Sequence, residues 1–286
     1  MIRSIVIAVF VKDDLIQAQI DNLLSLEKID SYRVVFYQDN TVNSPKYDTL
    51  HYSVKLDKVK AIIEENIAKF KKAVFLRNDT NIHPYGICKK AMDYALIESE
   101  YAIFMEDDVF LAKNALHWFD YFYDTHQLNW DTCKFVTGES IFYDTQRMDK
   151  YPSKEQLVDI RNTIASEKYQ QYFIELNNFL TSSIFATTRE IWNTEIRDLR
   201  GSKNGECALN DAIKKYQWRV IFPVVPFAKD IGMQHEDGWS VAWGGGKENV
   251  KEIKNTYLMA DEFETPKEFT KKPENFCMSL FYPKIL

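Results

Sequence analysis

The first half of the chain alternates between short apolar runs and amphipathic stretches. The apolar runs, each followed by polar residues, cover 5–11, 32–37, 73–76 and 102–105. Between them, apolar residues recur every three or four positions, first at Ile16, Ile20 and Leu23. A continuous apolar run is typical of a strand buried on both faces, and the wider spacing is typical of a helix that buries one face. The pattern predicts an α/β fold with a doubly wound, mainly parallel sheet and right-handed crossovers.

The second half is less regular. Its pattern predicts helices over 116–123 and 206–216, and strands over 133–136, 177–186 and 219–223. The polar stretch 144–172 is interpreted as a loop followed by a helix. Because no stretch resembles a linker, we expect one domain over 1–246, followed by a C-terminal extension over 247–286. The domain would have halves at 1–110 and 111–246, and the sheet of the second half would contain both parallel and antiparallel strands.

Three consecutive carboxylates, Glu106, Asp107 and Asp108, follow directly after the apolar run that ends at Met105. Removing unpaired charges from water costs a great deal of free energy, so a buried strand should not end this way. A bound divalent cation would resolve the conflict. Mg²⁺ and Mn²⁺ prefer carboxylate oxygens, and they often take only one or two of them together with substrate phosphates. The plain alternative is a solvated acidic turn, or a cap for a helix beginning near Lys113.

All four predicted strands of the first half end in polar or charged residues. These ends are Lys12–Asp14, Gln38–Asn40, Arg77–Asp79 and the acidic triplet. In doubly wound sheets ligands bind beyond the carboxyl ends of the strands, so the pattern indicates a ligand site there. No GxGxxG follows the first strand and no GxxxxGK[ST] occurs in the sequence, which disfavours a dinucleotide oxidoreductase and excludes a P-loop NTPase.

Composition limits the kinds of partner the protein could bind and indicates its cellular compartment. The 286 residues are 45% hydrophobic and 27% charged, as in ordinary globular proteins, and the net charge of −6 without a basic run argues against nucleic acid. The apolar run at 5–10 is too short to cross a bilayer and lacks a signal-peptide pattern. The four cysteines are scattered and form no CxxC pair, which predicts free thiols in a reducing compartment. We expect a cytoplasmic protein without a transmembrane segment, for which peripheral membrane contact stays open.

The order of these motifs resembles that of the glycosyltransferases of the GT-A fold, from about Ile5 to about Trp243. The strongest element is Tyr101–Val109, which resembles the DxD metal motif in a Glu-Asp-Asp form. That form is similar to the eukaryotic β-1,2-N-acetylglucosaminyltransferases, and the chain is also similar to the family 2-like bacterial enzymes. Further pieces agree in order, namely Val35–Asp39, Arg77–Asp79, Phe185–Trp192, Gly205–Leu209 and Ile231–His235.

The resemblance implies a metal-dependent, inverting transferase of the hexosyltransferase type that uses Mn²⁺ or Mg²⁺. Residues 1–110 would bind a nucleotide-sugar donor, and residues 111–246 a carbohydrate or glycoconjugate acceptor. Asp108 would ligate the metal, Asp107 would face the ribose and Glu106 the donor sugar. The implied nucleotide-sugar site comprises Val9, Phe10, Asp39, Arg77, Asp79, Glu106 and Asp107.

The resemblance also suggests which nucleotide base is bound. Asp39 or Asp79 would accept a hydrogen bond from the ring N–H of uracil, which favours a UDP-sugar, while guanosine and cytidine stay open. Arg77 would support the phosphates or the loop. Either acid could instead be an ordinary turn residue.

Glu206 stands in the family's position for the general base, where it would deprotonate the acceptor hydroxyl. Asp211 is the alternative base. A helix start favours an acid whatever its role, because of the helix dipole. Cys207 departs from the family pattern, which commonly has a second acid there.

A second metal ligand is assigned to His235, because imidazole suits Mn²⁺ better than Mg²⁺. Asp237 is the alternative. Trp239, Trp243 and the glycines at 244–246 predict a mobile flap over the donor, since glycine supplies backbone freedom. Trp192, Trp218 and the aromatic segment 118–123 could stack on sugar rings, although core packing is the favoured interpretation.

Three functions fit the sequence. The leading one is a UDP-sugar-dependent glycosyltransferase in the synthesis of a bacterial surface polysaccharide or glycan. The second is a sugar-nucleotide nucleotidyltransferase, although the loop Val11–Asp14 lacks the glycine-rich basic sequence of that class. The third is a non-catalytic glycan-binding module with the same fold.

Overall fold

A computed structural model gives the architecture of most of the chain. It describes residues 2–129, 131–140, 167–177, 180, 183–202, 205–232, 235, 237, 260, 264–274 and 276. The predicted flap at 239–246, most of the predicted extension at 247–286 and most of the polar stretch at 144–172 lie outside these residues.

Strands and helices alternate through the first half, as the sequence predicts. The strands are β1 (Arg3–Val9), β2 (Tyr32–Gln38), β3 (Ala73–Arg77) and β4 (Tyr101–Glu106). The helices between them are α1 (Ile16–Ser25), α2 (Leu50–Asn66) and α3 (His83–Glu98). The strands are parallel and lie in the order β4-β1-β2-β3, which confirms the prediction of a doubly wound, mainly parallel sheet for this half.

The apolar runs form the centre of the core. Ile5, Val6 and Ile7 of β1 are fully buried because strands pair with β1 on both edges and helices cover its faces. Helix α2 begins at Leu50, well before the first apolar position that marks it in the sequence, Val59. Its first two residues are exposed, and its start is fixed by Thr49, whose hydroxyl accepts the Tyr52 N–H at 3.5 Å.

The second half extends the same sheet beyond β4 with strands that run in both directions. Its strands are β5 (Val109–Leu111), β6 (Cys133–Val136), β7 (Tyr172–Leu176), β8 (Ile184–Thr188), β9 (Arg219–Pro223), β10 (Ala228–Asp230) and β11 (Thr270–Lys271). Its helices are α4 (Ala115–Asp124), α5 (Glu167–Gln170), α6 (Arg189–Ile191), α7 (Arg197–Arg200) and α8 (Gly205–Tyr216), with a π-helical turn at Trp192–Ile196 between α6 and α7. Strand β8 pairs antiparallel with β4, and the sheet continues through β6, β9 and β7 to β11. This half is mixed, as expected.

The predicted strand over 177–186 is wrong in its bounds. Strand β7 ends at Leu176, and β8 starts only at Ile184. Tyr172, expected in a helix, is the first residue of β7. The polar Glu175 hides this strand in the sequence, but in the sheet it lies beside two cations. Its carboxylate accepts from Arg219 Nη1 at 3.1 Å and from Lys271 Nζ at 2.6 Å.

The aromatic residues considered for sugar stacking are core residues. Trp118 and Trp192 are fully buried, and Trp218 is nearly so. Trp192 Nε1 also donates to Asp93 at 2.8 Å, which satisfies its polar atom inside the fold. Core packing therefore explains these side chains.

A small second sheet brings the 228–232 segment to the end of β4. Strands β5 and β10 pair antiparallel, with Val109 opposite Asp230. Directly beyond this pair, the Ile231 N–H donates to the Asp108 carbonyl at 2.9 Å. In the described part of the chain, no helix has the length and apolarity needed to cross a membrane.

Candidate functional site

The acidic triplet lies where the strand order of the sheet reverses. From β1 the chain proceeds outward through β2 and β3 and then returns to place β4 on the other edge of β1. Such a switch point opens a crevice between the two loops that leave the neighbouring strands, and ligands of open α/β sheets bind there. Because Ala8 is aligned with Glu106, the residues that follow β1 lie beside those that follow β4.

Both carboxylate oxygens of Asp107 have partners within the chain. Oδ2 accepts the backbone N–H of Phe10 at 2.8 Å, and Oδ1 accepts the Lys12 ammonium at 2.7 Å. The side chain is buried, so these bonds fix its orientation. Asp107 thereby joins the loop after β1 to the loop after β4.

Asp108 is equally buried, but only one of its oxygens is engaged. Lys12 Nζ contacts Oδ2, whereas Oδ1 has no hydrogen-bond partner within the described residues. A buried carboxylate oxygen without a partner is costly and calls for an explanation such as a bound ion. This oxygen fits a divalent cation.

Gly232 closes the other side of Asp108. A Cβ atom at this position would lie 1.4 Å from Asp108 Oδ2, so only glycine allows this close approach. No group of three or more His, Cys, Asp or Glu side chains among the described residues could hold a metal ion by itself. A cation at Asp108 would therefore complete its coordination with substrate phosphates and water, as Mg²⁺ commonly does.

Glu106 lies in a strongly perturbed environment. Burial, together with the nearby Asp108, raises its pKa to about 8, and Lys12 and Arg200 oppose the shift. Arg200 is itself buried in α7, and its Nε donates to Cys88 Sγ at 3.3 Å. Two cations that are far apart in the sequence, Lys12 and Arg200, thus act on one carboxyl group.

Asp39 holds the loop after β2 to the start of α3. Its carboxylate accepts from Asn78 Nδ2 and Asn81 Nδ2, each at 3.0 Å, and from the Ile82 N–H at 3.1 Å. Burial raises the pKa of Asp39, although the hydrogen bonds from Asn78 and Ile82 work against the shift. Its contact with a base stays a prediction, to which the structure adds this organising role.

The other residues assigned to the nucleotide lie around the same edge. Val9 is buried at the end of β1, and the Phe10 ring meets Tyr47 edge-on at 5.0 Å. Arg77, at the end of β3, pairs with Asp57 of α2 at 2.9 Å, and Asp79 is exposed. Their contacts with a nucleotide also stay predictions.

His235 belongs to a loop that is tied to the first half of the chain. Its Nε2 lies 2.8 Å from Asp14 Oδ1, and its Nδ1 accepts the Asp237 N–H at 3.1 Å. Asp237 in turn pairs with Lys55 of α2, and its carbonyl accepts from the Tyr47 hydroxyl. Metal ligation by His235 stays a prediction. In this structure its Nε2 has the Asp14 carboxylate as a partner.

Helix α8 presents its first turn toward Arg200. A Cβ on Gly205 would lie 2.2 Å from the Arg200 carbonyl oxygen, so α8 starts in close contact with the end of α7. The structure describes the backbone of Glu206, the next residue, but not its side chain. Asp211 lies on the exposed face of α8, opposite the buried Leu209 and Ile213. The start of α8, where the predicted base stands, thus lies beside Arg200, whose charge lowers the pKa of Glu106.

Sequence reasoning missed two residues of this site, Lys12 and Arg200. In the sequence Lys12 is only part of a polar strand end, although β1 and β4 are both predicted to belong to one mainly parallel sheet. The signal was available, because parallel strands end at the same edge and the ammonium would meet the triplet there. For Arg200, at the end of a four-residue helix, we find no sequence signal.

No protein-family model and no curated protein matches the chain. It is similar to a mannosyltransferase, PcManGT from Pyrobaculum calidifontis, in complex with GDP-Man and Mn²⁺, with 13% identity, a TM-score of 0.48 and coverage of 89% of this chain and 68% of that one. It is also similar to S. aureus TarS residues 1–349, with 14% identity, a TM-score of 0.42 and coverage of 77% of this chain and 58% of that one.

The UDP complex of the same TarS fragment shows 18% identity and a TM-score of 0.35, with coverage of 49% of this chain. The chain spans only 36% of that structure. Since all three TM-scores are below 0.5, the function rests on this chain's own residues.

Proposed function

We propose that this chain is a divalent-metal-dependent glycosyltransferase of the GT-A fold that transfers a hexose from a UDP-sugar to a hydroxyl of a carbohydrate acceptor. The observation that carries the proposal is the buried Asp108 Oδ1, which has no partner in the described structure and lies at the switch point of the sheet. An oxygen ligand of this kind at the carboxyl end of a parallel strand suits a cation that also binds the donor's phosphates.

The surrounding residues suit a phosphorylated donor. Asp108 would ligate the cation, Asp107 would stay fixed by Phe10 and Lys12, and His235 is the proposed second ligand. When bound, the cation would supply Lewis-acid neutralisation of the charge that develops on the leaving diphosphate. Glu106, whose pKa is raised to about 8, would face the donor sugar.

The proposed transfer inverts the anomeric centre. The acceptor hydroxyl oxygen forms a bond to the anomeric carbon while the bond from that carbon to the β-phosphate oxygen breaks. Glu206 takes the hydroxyl proton, and the nucleoside diphosphate leaves with the bonding electron pair. The product would be a glycan of the bacterial cell surface, made in the cytoplasm. Among the described residues, Cys88, Cys133 and Cys207 form no disulfide, which suits a reducing compartment.

Incubation with a panel of nucleotide sugars and Mn²⁺ tests the proposal, because glycosyltransferases slowly hydrolyse their donors when no acceptor is present. We expect UDP release from one or more UDP-sugars and none in EDTA. A nucleotidyltransferase would instead consume a nucleoside triphosphate together with a sugar phosphate. Binding of glycans without turnover of any donor would indicate a binding module. Either of these outcomes would overturn the proposal.

A further inference from the structure

The acidic site already contains a positive charge. The Lys12 ammonium contacts both Asp107 and Asp108, and its side chain is only 12% exposed. A lysine at a strand end usually extends into water, where it keeps its hydration and its rotamer freedom. Here it is buried against two carboxylates that are each over 90% buried.

This ammonium contacts Oδ2 of Asp108, the carboxylate whose Oδ1 has no partner among the described residues. A divalent cation arriving at Asp108 Oδ1 therefore meets a like charge already bound to the same group, and in a poorly solvated site that repulsion is strong. A nucleoside diphosphate brings several negative charges and is attracted by the ammonium and the cation together. Lys12 thus acts in opposite directions on the two ligands.

We propose that Lys12 is a resident counterion of the site that disfavours binding of the metal alone and contributes to binding of the donor diphosphate. The cation and the nucleotide then bind preferentially as a pair, and an empty site does not collect divalent ions. This inference rests on the proposed donor site. A purely structural lysine makes a different prediction, since its loss would loosen the acidic pair and weaken both ligands.

The test is Lys12→Met, which keeps the length and apolar stem but removes the charge. Free Mn²⁺ is followed by its EPR signal in a titration without nucleotide, and UDP binding is measured by calorimetry in EDTA. We expect the Mn²⁺ dissociation constant to fall by about fivefold and the UDP dissociation constant to rise by about tenfold. Lys58→Met is the matched control, because Lys58 lies at the same edge, 61% exposed, and pairs with Asp13 instead.

Loss of both affinities, or no change in either, would overturn the role of Lys12. A wild-type protein that binds neither Mn²⁺ nor UDP even when both are present would overturn the donor site itself, so the two failures are distinguishable. If Lys12→Met does not fold, Lys12→Met/Asp107→Asn keeps the net charge of the cluster. Compared with Asp107→Asn alone, this double variant should bind Mn²⁺ more tightly, and equal or weaker binding would contradict the proposal.

Discussion

Buried carboxylates in this chain differ in whether their oxygens have partners. Asp120 receives Arg3 and Tyr32 on one oxygen and Lys28 on the other. Asp39 and Asp107 are likewise engaged on both oxygens, whereas Asp108 has one oxygen without a partner in the described structure. A carboxylate with partners on both oxygens is suited to holding elements in place. A carboxylate with one oxygen left unpartnered is suited to binding a ligand.

Glu206 is the residue on which the proposed chemistry depends most. Glu206→Gln keeps the size of the side chain but cannot accept a proton, so donor affinity should stay near wild type while turnover falls by about two to four orders of magnitude. Steady-state transfer rates and UDP calorimetry measure the two effects separately. Asp211→Asn is the control, since this exposed acid is the competing base. If Asp211→Asn alone lost activity, the two roles would have to be exchanged.

At the scale of elements, Asp39 is the link between β2 and α3. Asp39→Ala leaves the amides of Asn78 and Asn81 and the Ile82 N–H without their acceptor, so the free energy of unfolding should fall by about 2 kcal/mol or more in urea denaturation. The exposed neighbour Asp79 gives the control, because Asp79→Ala should change stability by less than about 0.5 kcal/mol. Equal stability of both variants would show that Asp39 does not hold the loop.

The elements that the sequence predicts best are those in which one pattern of apolar positions continues over many residues. The apolar run of β1 and the amphipathic spacing of α1 are strong signals because one residue pattern repeats over at least two turns or one full strand. Strands β5 and β10 have three residues each and no period, so they could not be recognised. Strand β7 was missed because Glu175, which looks solvent-facing in the sequence, is neutralised by cations from β9 and β11.

The site could be predicted only in part, for a related reason. The acidic triplet can be recognised from the local sequence alone, because three acids follow directly after an apolar run. Lys12 and Arg200 become part of the site through contacts with residues far away in sequence, and no local pattern encodes such a pairing. Asp39 was correctly placed at a strand end, but its bonds to the start of α3 depend on a loop conformation that residue types alone do not fix.

At the scale of the whole molecule, the amino and carboxyl ends of the parallel strands have different roles, one structural and one in the proposed ligand site. The amino end of β1 is held by Arg3 through the buried Asp120 of α4, and the carboxyl end faces the acidic triplet. Asp120→Ala removes the partner of two cations and a tyrosine, so stability should fall by about 3 kcal/mol. UDP affinity should stay unchanged in calorimetry below the new melting temperature. A loss of UDP affinity would show that the two ends are coupled.

The central claim is that Asp108 holds a divalent cation together with a nucleoside diphosphate. The most direct measurement is UDP calorimetry with and without Mn²⁺ on the wild type, on Asp108→Ala, and on Asp198→Ala, an exposed acid of α7 that serves as control. We predict that Mn²⁺ strengthens UDP binding in the wild type and in Asp198→Ala, and that Asp108→Ala folds but shows no such dependence. An Asp108→Ala protein that binds UDP with undiminished Mn²⁺ dependence would contradict the account.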